Sequence, residues 1–505
     1  MFKWRNGKKE NETPRAHSLK IEELKQQLKA ELMETTDLEF REIYKDGEHL
    51  LISFLTSMTD MKVLEDIIIK PLQDRMHSPW NLEMFQACLP AAQISYANQL
   101  KEIASSMIDG KGYLYSEGEP CGILINTGKI AERSLERAET ESLVYGPKIS
   151  FTESLESNMN IIRANIKDPM LVMEDIEVGA RGRTKGKIVY IKDIADEKNV
   201  NTFKQRIKDL SIDHIPDSTV LAQLIEDNSW TVFPQLLTTE LPDRLSIVLL
   251  KGRVGVLVDR SPAAIYGPSP FFSFFESTED VYMRWNMGLF LRMLRFFSFF
   301  FSILLTPAYV AVLTYHYEVI PSPLLVSLGE SRSNVPFPPV FEALLLEFVI
   351  ELLREAGARL PTKVGQTMGI VGGIVIGQAA VDAGFTSNIL IIIIALSALG
   401  SFTTPSYLMG TAVRIIRFPI ILLAGLWGGL GIMVAFCFLI IHVLKLSTLG
   451  TPYLAPLYPL SMKDFGYSLL RFPFQFNYLR PLSNQPGDLK SSPPKKTKKK
   501  KDVDE

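Results

Sequence analysis

The chain has 505 residues, a formal net charge of -2 and a mean hydropathy of only +0.11. That balance suits neither a wholly soluble enzyme nor a transporter embedded from end to end. It implies two bodies: charged residues dominate the first half, and apolar runs of membrane-spanning length begin only after about residue 288.

Residues 1–40, rich in Lys, Glu, Asn and Gln, read as a flexible polar arm, and Met1–Lys25 lacks the apolar core of a signal peptide. From about residue 48 the texture changes. His49–Leu55 predicts a strand, Met61–Leu72 and Asn98–Ile108 predict helices, and Gly112–Ser116 with Cys121–Ile125 predict a hairpin around Gly118. A second unit follows, with Ser150–Ile166 and Asp196–Leu210 helical and Met170–Val178 and Lys187–Ile191 extended. Leu241–Leu250 reads as a helix, then Arg253–Val258 and Ala263–Tyr266 as strands. Two soluble α/β subdomains, 41–145 and 146–287, are the simplest account.

Phe271, Phe272, Phe274, Phe275, Tyr282 and Trp285, with Arg284, Arg292 and Arg295, precede a long apolar run, as a membrane interface selects. Phe296–Tyr315 is the first clear span. Three Arg precede it and the segment His316–Pro339 carries one Arg and no Lys, so the positive-inside rule puts the soluble half in the cytoplasm.

Val340–Leu353 is apolar except for Glu342, Glu347 and Glu351. Glu347, Glu351 and Glu355 share one helical stripe, either facing water in a cation path, or on a helix lying in the interface, or neutralised by Arg354 and Arg359. Pro361–Gly384 then carries Gly365, Gly369, Gly373 and Gly377 at four-residue spacing, with Gln366, Gln378 and Asp382 interspersed. Such a ladder is costly in a soluble helix but lets helices approach closely in a bilayer, around an oligomer axis or simply against a neighbour. Ile389–Phe402 and Phe418–Leu444 complete the apolar runs. If all of these cross, the chain ends outside, yet the tail holds Lys495, Lys496 and Lys498–Lys501, which suit a cytoplasmic surface of anionic lipid. The Glu-bearing helix is therefore expected to be re-entrant or interfacial. The Pro- and aromatic-rich stretch Gly450–Pro481 is expected to dock against the soluble body.

Catalytic signatures fail. Gly122–Ile130 has one residue too many between its glycines for a phosphate loop and lacks the hydroxyl that would hold Mg²⁺. The six histidines show no HExxH spacing, and Cys88, Cys121 and Cys437 are too scattered for a metal site or disulfide framework. No enzyme activity, cofactor, metal or nucleic-acid partner is expected.

The ordered motifs resemble one family. Leu241-Pro242-Asp243-Arg244, Gly252-Arg253-Val254, Val256 to Asp259, Ser269-Pro270-Phe271-Phe272, Phe274 to Asp280, Pro338 to Leu345, and Arg354-Glu355-Ala356-Gly357 through Gly365-Gln366 are similar to the GerA-type A subunits of spore germination receptors. The chain departs at Arg260, where a glycine is usual in the turn, and at Val281. The resemblance implies a multi-pass protein of the spore inner membrane that works with a transporter-like B subunit, which would bind the nutrient, and a lipoprotein C subunit. It also implies a homo-oligomeric, nutrient-gated channel for monovalent cations.

The expected fold is therefore α+β: a cytoplasmic two-subdomain α/β body followed by an all-α polytopic membrane domain over 288–445, a Pro/aromatic-rich cytoplasmic segment over 446–488 and a disordered Lys-rich tail over 489–505. The candidate pore or gate residues are Glu347, Glu351, Gln366, Gly369, Gly373, Gly377, Gln378 and Asp382. A secondary transporter and a non-conducting membrane scaffold are the alternatives.

Overall fold

The computed structural model describes residues 20–45, 48–75, 85, 89–90, 94–128, 138, 141, 145–360, 373, 375, 377–462, 464, 470–473 and 479–491. Of the expected features, the arm before residue 20, the lysines beyond 491, and Gln366 and Gly369 lie outside the described residues. The chain divides into two compact units, Met1–Glu226 with Leu236–Pro268 and Tyr478–Ser492, and Asp227–Gln235 with Ser269–Asn477 and Pro493–Glu505.

The first unit is built on two five-stranded antiparallel sheets. Strands β1 (Leu38–Lys45), β2 (Glu48–Leu55), β3 (Ile94–Ala97), β4 (Lys111–Ser116) and β5 (Gly122–Asn126) lie in the order β1-β2-β4-β5-β3. Strands β6 (Leu171–Val178), β7 (Thr184–Ile191), β8 (Leu237–Thr239), β9 (Val254–Val258) and β10 (Ala264–Gly267) lie in the order β6-β7-β9-β10-β8. The two orders are the same topology. Helices fall at matching points: Ile21–Glu31 and Leu155–Asn165 before the first strand of each sheet, Leu100–Ile108 and Pro242–Leu250 between its third and fourth. In Leu100–Ile108 the residues Leu100, Ile103, Ala104, Met107 and Ile108 fall on one face, and that face is buried.

The expected polar arm is corrected for residues 21–40. Ile21, Leu24 and Leu28 are buried on the Ile21–Glu31 helix and pack in the core of the first sheet with Leu51, Leu55 and Met107. The apolar stripe is narrow, one residue per turn among charges, so composition reads the helix as solvated. At the turn between β9 and β10, Arg260 takes φ 64°, the left-handed region that favours glycine.

A buried ion pair joins the two halves of this unit. Arg163, on the Leu155–Asn165 helix, donates from Nη2 to both Asp37 oxygens at 2.8 and 3.0 Å and from Nη1 to the Leu171 carbonyl at 3.0 Å. Ser57 and Thr35 hydroxyls each donate to Asp37 at 2.5 Å. Burial alone would push the Asp37 carboxyl up, but attraction to Arg163 and the hydrogen bonds from Ser57, Thr35 and Arg163 outweigh it and hold the group below its ordinary value of 3.8. A depressed carboxyl contributes stability that is present above the unfolded-state pKa and lost as pH falls through the folded-state value. Asp37→Asn should therefore cost on the order of 3–5 kcal/mol at neutral pH, because Arg163 is left buried without its counter-charge. Thermal melts of the full chain in detergent, stepped down through the acid range, should show the gap between wild type and variant narrowing. A constant gap would mean that Asp37 ionisation does not stabilise the fold.

In the second unit the Trp285–Tyr315 and Tyr407–Lys445 helices are long and apolar enough to cross a membrane, and Asn388–Phe402 is a shorter apolar helix. Val310, Ala311, Ala343, Leu346, Leu390, Ile394, Ile421 and Ala424 form their common core with the Pro339–Arg359 helix. Gly400 approaches the Ser298 carbonyl so closely that a Cβ there would lie 2.9 Å from it, and a Cβ on Gly425 would lie 2.6 Å from Val340 Cγ2. Small residues thus let these helices approach closely.

The Tyr407–Lys445 helix is not one rod. As a straight helix its 39 residues would reach about 58 Å, roughly twice a bilayer core. Gly428 breaks it with φ 59° and ψ -136°. A Cβ on Gly431 would collide with the Leu423 carbonyl oxygen, although residues eight apart in a straight helix are about 12 Å apart. The chain reverses here. On the outgoing arm Arg417 meets Ser302 and Gly428 meets Tyr315; on the return arm Phe436 packs against Phe300.

The contacts also give the direction of the other helices. Pro339–Arg359 runs against the outgoing arm, with Val340 at Gly425, Glu347 at Arg417 and Glu351 at Arg414. Asn388–Phe402 starts where Ser387 meets Tyr309 and ends where Gly400 meets Ser298. Gly384 abuts Asn334, at the far end of the bundle. Five traverses lie among the described residues, and the return arm leaves the bundle at the end where the Trp285–Tyr315 helix entered it. The Glu-bearing helix, expected to be re-entrant or interfacial, packs lengthwise in the bundle, and the reversal at Gly428 brings the chain back to its entry end.

The expected interfacial aromatics divide. Phe271, Phe272, Phe274 and Phe275 are buried, whereas Tyr282 and Trp285 are exposed. Residues expected to dock on the soluble body also divide: Tyr453 packs within the second unit, on Phe271 and the Pro234 carbonyl. Later, Arg480 donates to the Leu250 carbonyl at 2.9 Å and Asn484 to that of Lys251 at 2.9 Å within the first unit.

Candidate functional site

Polar side chains of the helical bundle gather at two neighbouring levels, around Arg417 and around Arg354 with Arg414. Arg417 is buried and donates from Nη1 to Glu347 Oε2 at 2.7 Å and from Nη2 to Ser302 Oγ at 2.5 Å. Thr306 Oγ1 donates to the other Glu347 oxygen at 3.0 Å, and Ser397 Oγ donates to the Ser302 carbonyl at 2.8 Å. Residues from four helices close this network. One turn nearer the entry end, Arg354 lies 3.0 Å from Glu351 and Arg414 3.4 Å from it, and the Arg354 guanidinium sits 4.5 Å from the Phe402 ring centroid. A third pair, Arg332 with buried Glu342 at 2.7 Å, lies towards the far end.

Of the roles open to the glutamates, these contacts support pairing. Arg354 holds Glu351 and Arg359 holds Glu355, as expected, but Arg414 shares Glu351 and Glu347 is matched by Arg417. Arg417 follows Glu347 by 70 residues. Arg414 and Arg417 are visible as cations at the edge of an apolar run, but their three-residue spacing points them to neighbouring turns of one helix face and names no partner.

The glycine helix is placed apart from this network. Residues 377–382 are helical, and Gln378 donates to Asp382 at 2.9 Å on an exposed surface. A Cβ on Gly373 would meet nothing within 4 Å, and one on Gly377 only Ile391 Cδ1 at 4.0 Å. Close backbone packing on the described part of this face does not come from its own chain. The residues missed by sequence reasoning are those at the far end. Tyr315 donates to the Leu426 carbonyl at 2.7 Å, with the Gly425 carbonyl 3.2 Å away, and His316 Nε2 accepts from the Gly429 amide at 3.2 Å. These are backbone groups that the break at Gly428 strips of helical partners, and in an apolar medium they need replacements.

The family model described as "Bacillus/Clostridium GerA spore germination protein" matches residues 26–483. "Spore germination protein GerQA" of Bacillus cereus is 42% identical over 452 residues, 89% of this chain and 90% of that protein. "Spore germination protein B1" of Bacillus subtilis is 37% identical over 437 residues, 86% of this chain and 90% of that protein. Among solved structures, the N-terminal domain of the A subunit of the Bacillus megaterium spore germinant receptor GerK3 is 23% identical, covering 51% of this chain and 98% of that domain at a TM-score of 0.41. A family match across most of the chain, with relatives of this identity along nearly their whole length, means that the chain belongs to the GerA family of spore germination proteins.

Proposed function

We propose that this chain is the A-type membrane subunit of a germinant receptor, and that copies of it assemble around an axis to form a nutrient-gated channel for cations in the spore inner membrane. A transporter-like B subunit and a lipoprotein C subunit complete the receptor, and the two-sheet body lies in the cytoplasm. The observation that carries the reading is the glycine face at Gly373 and Gly377, which nothing within 4 Å of a Gly373 Cβ occupies. A membrane helix rich in glycine and flanked by Gln378 and Asp382 is poorly suited to lipid and well suited to another copy or to a wet axis. In this reading Glu347 and Glu351 hold the bundle together through Arg417 and Arg414, and the axis is lined from the glycine helix, with Gln366 and Gly369 among its candidates. The Lys-rich tail meets anionic lipid.

Discontinuous helices also occur in secondary transporters, where they build a site at mid-membrane. The break at Gly428 sits at the end of the bundle beside Tyr315 and makes a turn, which lends that alternative no support. Purified protein in liposomes tests the choice. Cation flux at channel-like unitary rates is expected; saturable solute exchange without conductance would favour a transporter, and neither would leave a scaffold. Gly373→Leu adds a bulky group where the gate's helices meet, and overpacking typically costs about 1–3 kcal/mol. Closed and open arrangements should not bear that equally, so the gate's population should shift severalfold. Spores carrying Gly373→Leu at matched receptor abundance should either leak cation without nutrient or fail to release it with nutrient. Wild-type release in both conditions would remove this helix from gating.

A further inference from the structure

The loop Asp227–Gln235 lies in the sequence among elements of the sheet-bearing unit but belongs to the helical one. Asp227 explains why. Its carboxylate accepts from the Leu449 amide at 2.9 Å, the Gly450 amide at 3.2 Å and the Ser447 hydroxyl, which fastens the loop to the turn that follows the return arm. Thr448 Oγ1 donates to the Gln235 carbonyl at 2.7 Å, and the Tyr453 hydroxyl donates to that of Pro234 at 2.7 Å. Between these anchors the side chains alternate. Thr231 is 2.8 Å from His442 Nε2, and Phe233 is buried against the rings of Phe271, His442 and Tyr453. Trp230 and Val232 face outward, and Trp230 is 96% exposed.

A tryptophan held almost wholly out of the protein on a loop this firmly bonded is costly in water and ordinary at a bilayer interface, where its apolar ring and polar N–H are both accommodated. Its height in the fold agrees. His442, which Thr231 meets, is one turn from the end of the return arm at Lys445, and that arm leaves Phe438, Ile441 and Leu444 exposed on one stripe down to the same end. Beyond Tyr453 the chain exposes Leu457, Tyr458, Leu460 and Met462. We propose that the Asp227–Gln235 loop is a lipid-interface anchor, with Trp230 seated at the headgroup and acyl boundary beside the end of the return arm.

The proposal rests on the bundle spanning a membrane but not on the channel reading. Trp427, exposed beside the reversal at the other end of the bundle, is the internal control. The full-length protein is reconstituted in vesicles whose lipids carry bromine either near the headgroup end or deep in the acyl chain. The emission of each indole is taken as the difference between wild type and Trp230→Phe or Trp427→Phe. The Trp230 component should be blue-shifted, lose most of its intensity to the shallow bromolipid and less to the deep one, and resist aqueous iodide. Quenching by iodide but not by bromolipid would place Trp230 in water and overturn the proposal. Resistance to both would mean that a protein surface covers it, and would overturn the proposal equally. If Trp427 also escapes every bromolipid, the membrane reading fails with it; if Trp427 is quenched and Trp230 is not, only the anchor falls.

Discussion

Glu347→Gln is expected to destabilise the assembled protein on the order of 3–5 kcal/mol, because Arg417 keeps its charge in a buried site whose only compensating carboxylate among the described contacts has gone. Arg417→Gln should cost about as much for the mirror reason. Combining Glu347→Gln with Arg417→Gln should recover much of the loss, since two amides can still bond Thr306 and Ser302 with no net charge to bury. Glu351→Gln should be milder, because Glu351 is partly exposed and its two arginines also have Phe402 and Thr411 as neighbours. Thermal stability in detergent and receptor abundance in spore membranes measure all four, and the double replacement gives the coupling as a mutant cycle. Normal abundance and stability for Glu347→Gln with reduced cation flux would return that carboxylate to the conduction path and overturn the pairing role.

This ion pair also shows where sequence reading stops. Periodicity places Glu347 and Glu351 on one helical face and says that such residues avoid lipid, which is correct for buried Glu347. It cannot choose between arginines seven and 70 residues away, because that choice depends on which helices are neighbours. The soluble strands were more legible. His49–Leu55 corresponds to β2, and Gly112–Ser116 with Cys121–Ile125 to β4 and β5, since short apolar runs bounded by turn residues report their own conformation. Strand β1 was lost for the opposite reason: Glu39, Arg41, Glu42 and Lys45 charge it, while its pairing with β2 is long-range information. The shared order of the two sheets is likewise a property of pairing, with no sequence period to announce it. At Phe271–Phe275 composition identified an aromatic cluster but could not tell a buried one from an interfacial one. Trp230, the most exposed of the aromatics named above, lies in a short loop far from the apolar runs, and its alternation with buried Phe233 is too brief to be read as an anchor.

Gly428→Val should disrupt the bundle more than any substitution on its exposed surface. Its φ of 59° with ψ of -136° lies close to a region essentially restricted to glycine, at a cost of about 1–3 kcal/mol for other residues. A Cβ there would also lie 2.9 Å from Tyr315 Cβ, the side chain that bonds the carbonyl freed at Leu426. The two costs act at one place, because displacing Tyr315 to relieve the collision exposes that carbonyl to hydrocarbon. Gly429→Ala, whose added carbon meets only His316 at 3.2 Å, is the matched control and should be far milder. The reversal also fixes which end of the bundle Lys445 reaches. Single cysteines at Lys445 and at Glu318, in a background without native cysteines, should label from opposite sides of a vesicle membrane. A continuous helix through Gly428 would instead carry Lys445 to the side of Glu318. Labelling of both positions from one side in the otherwise native chain would refute the reversal, and wild-type stability in Gly428→Val would refute the strain argument made for it.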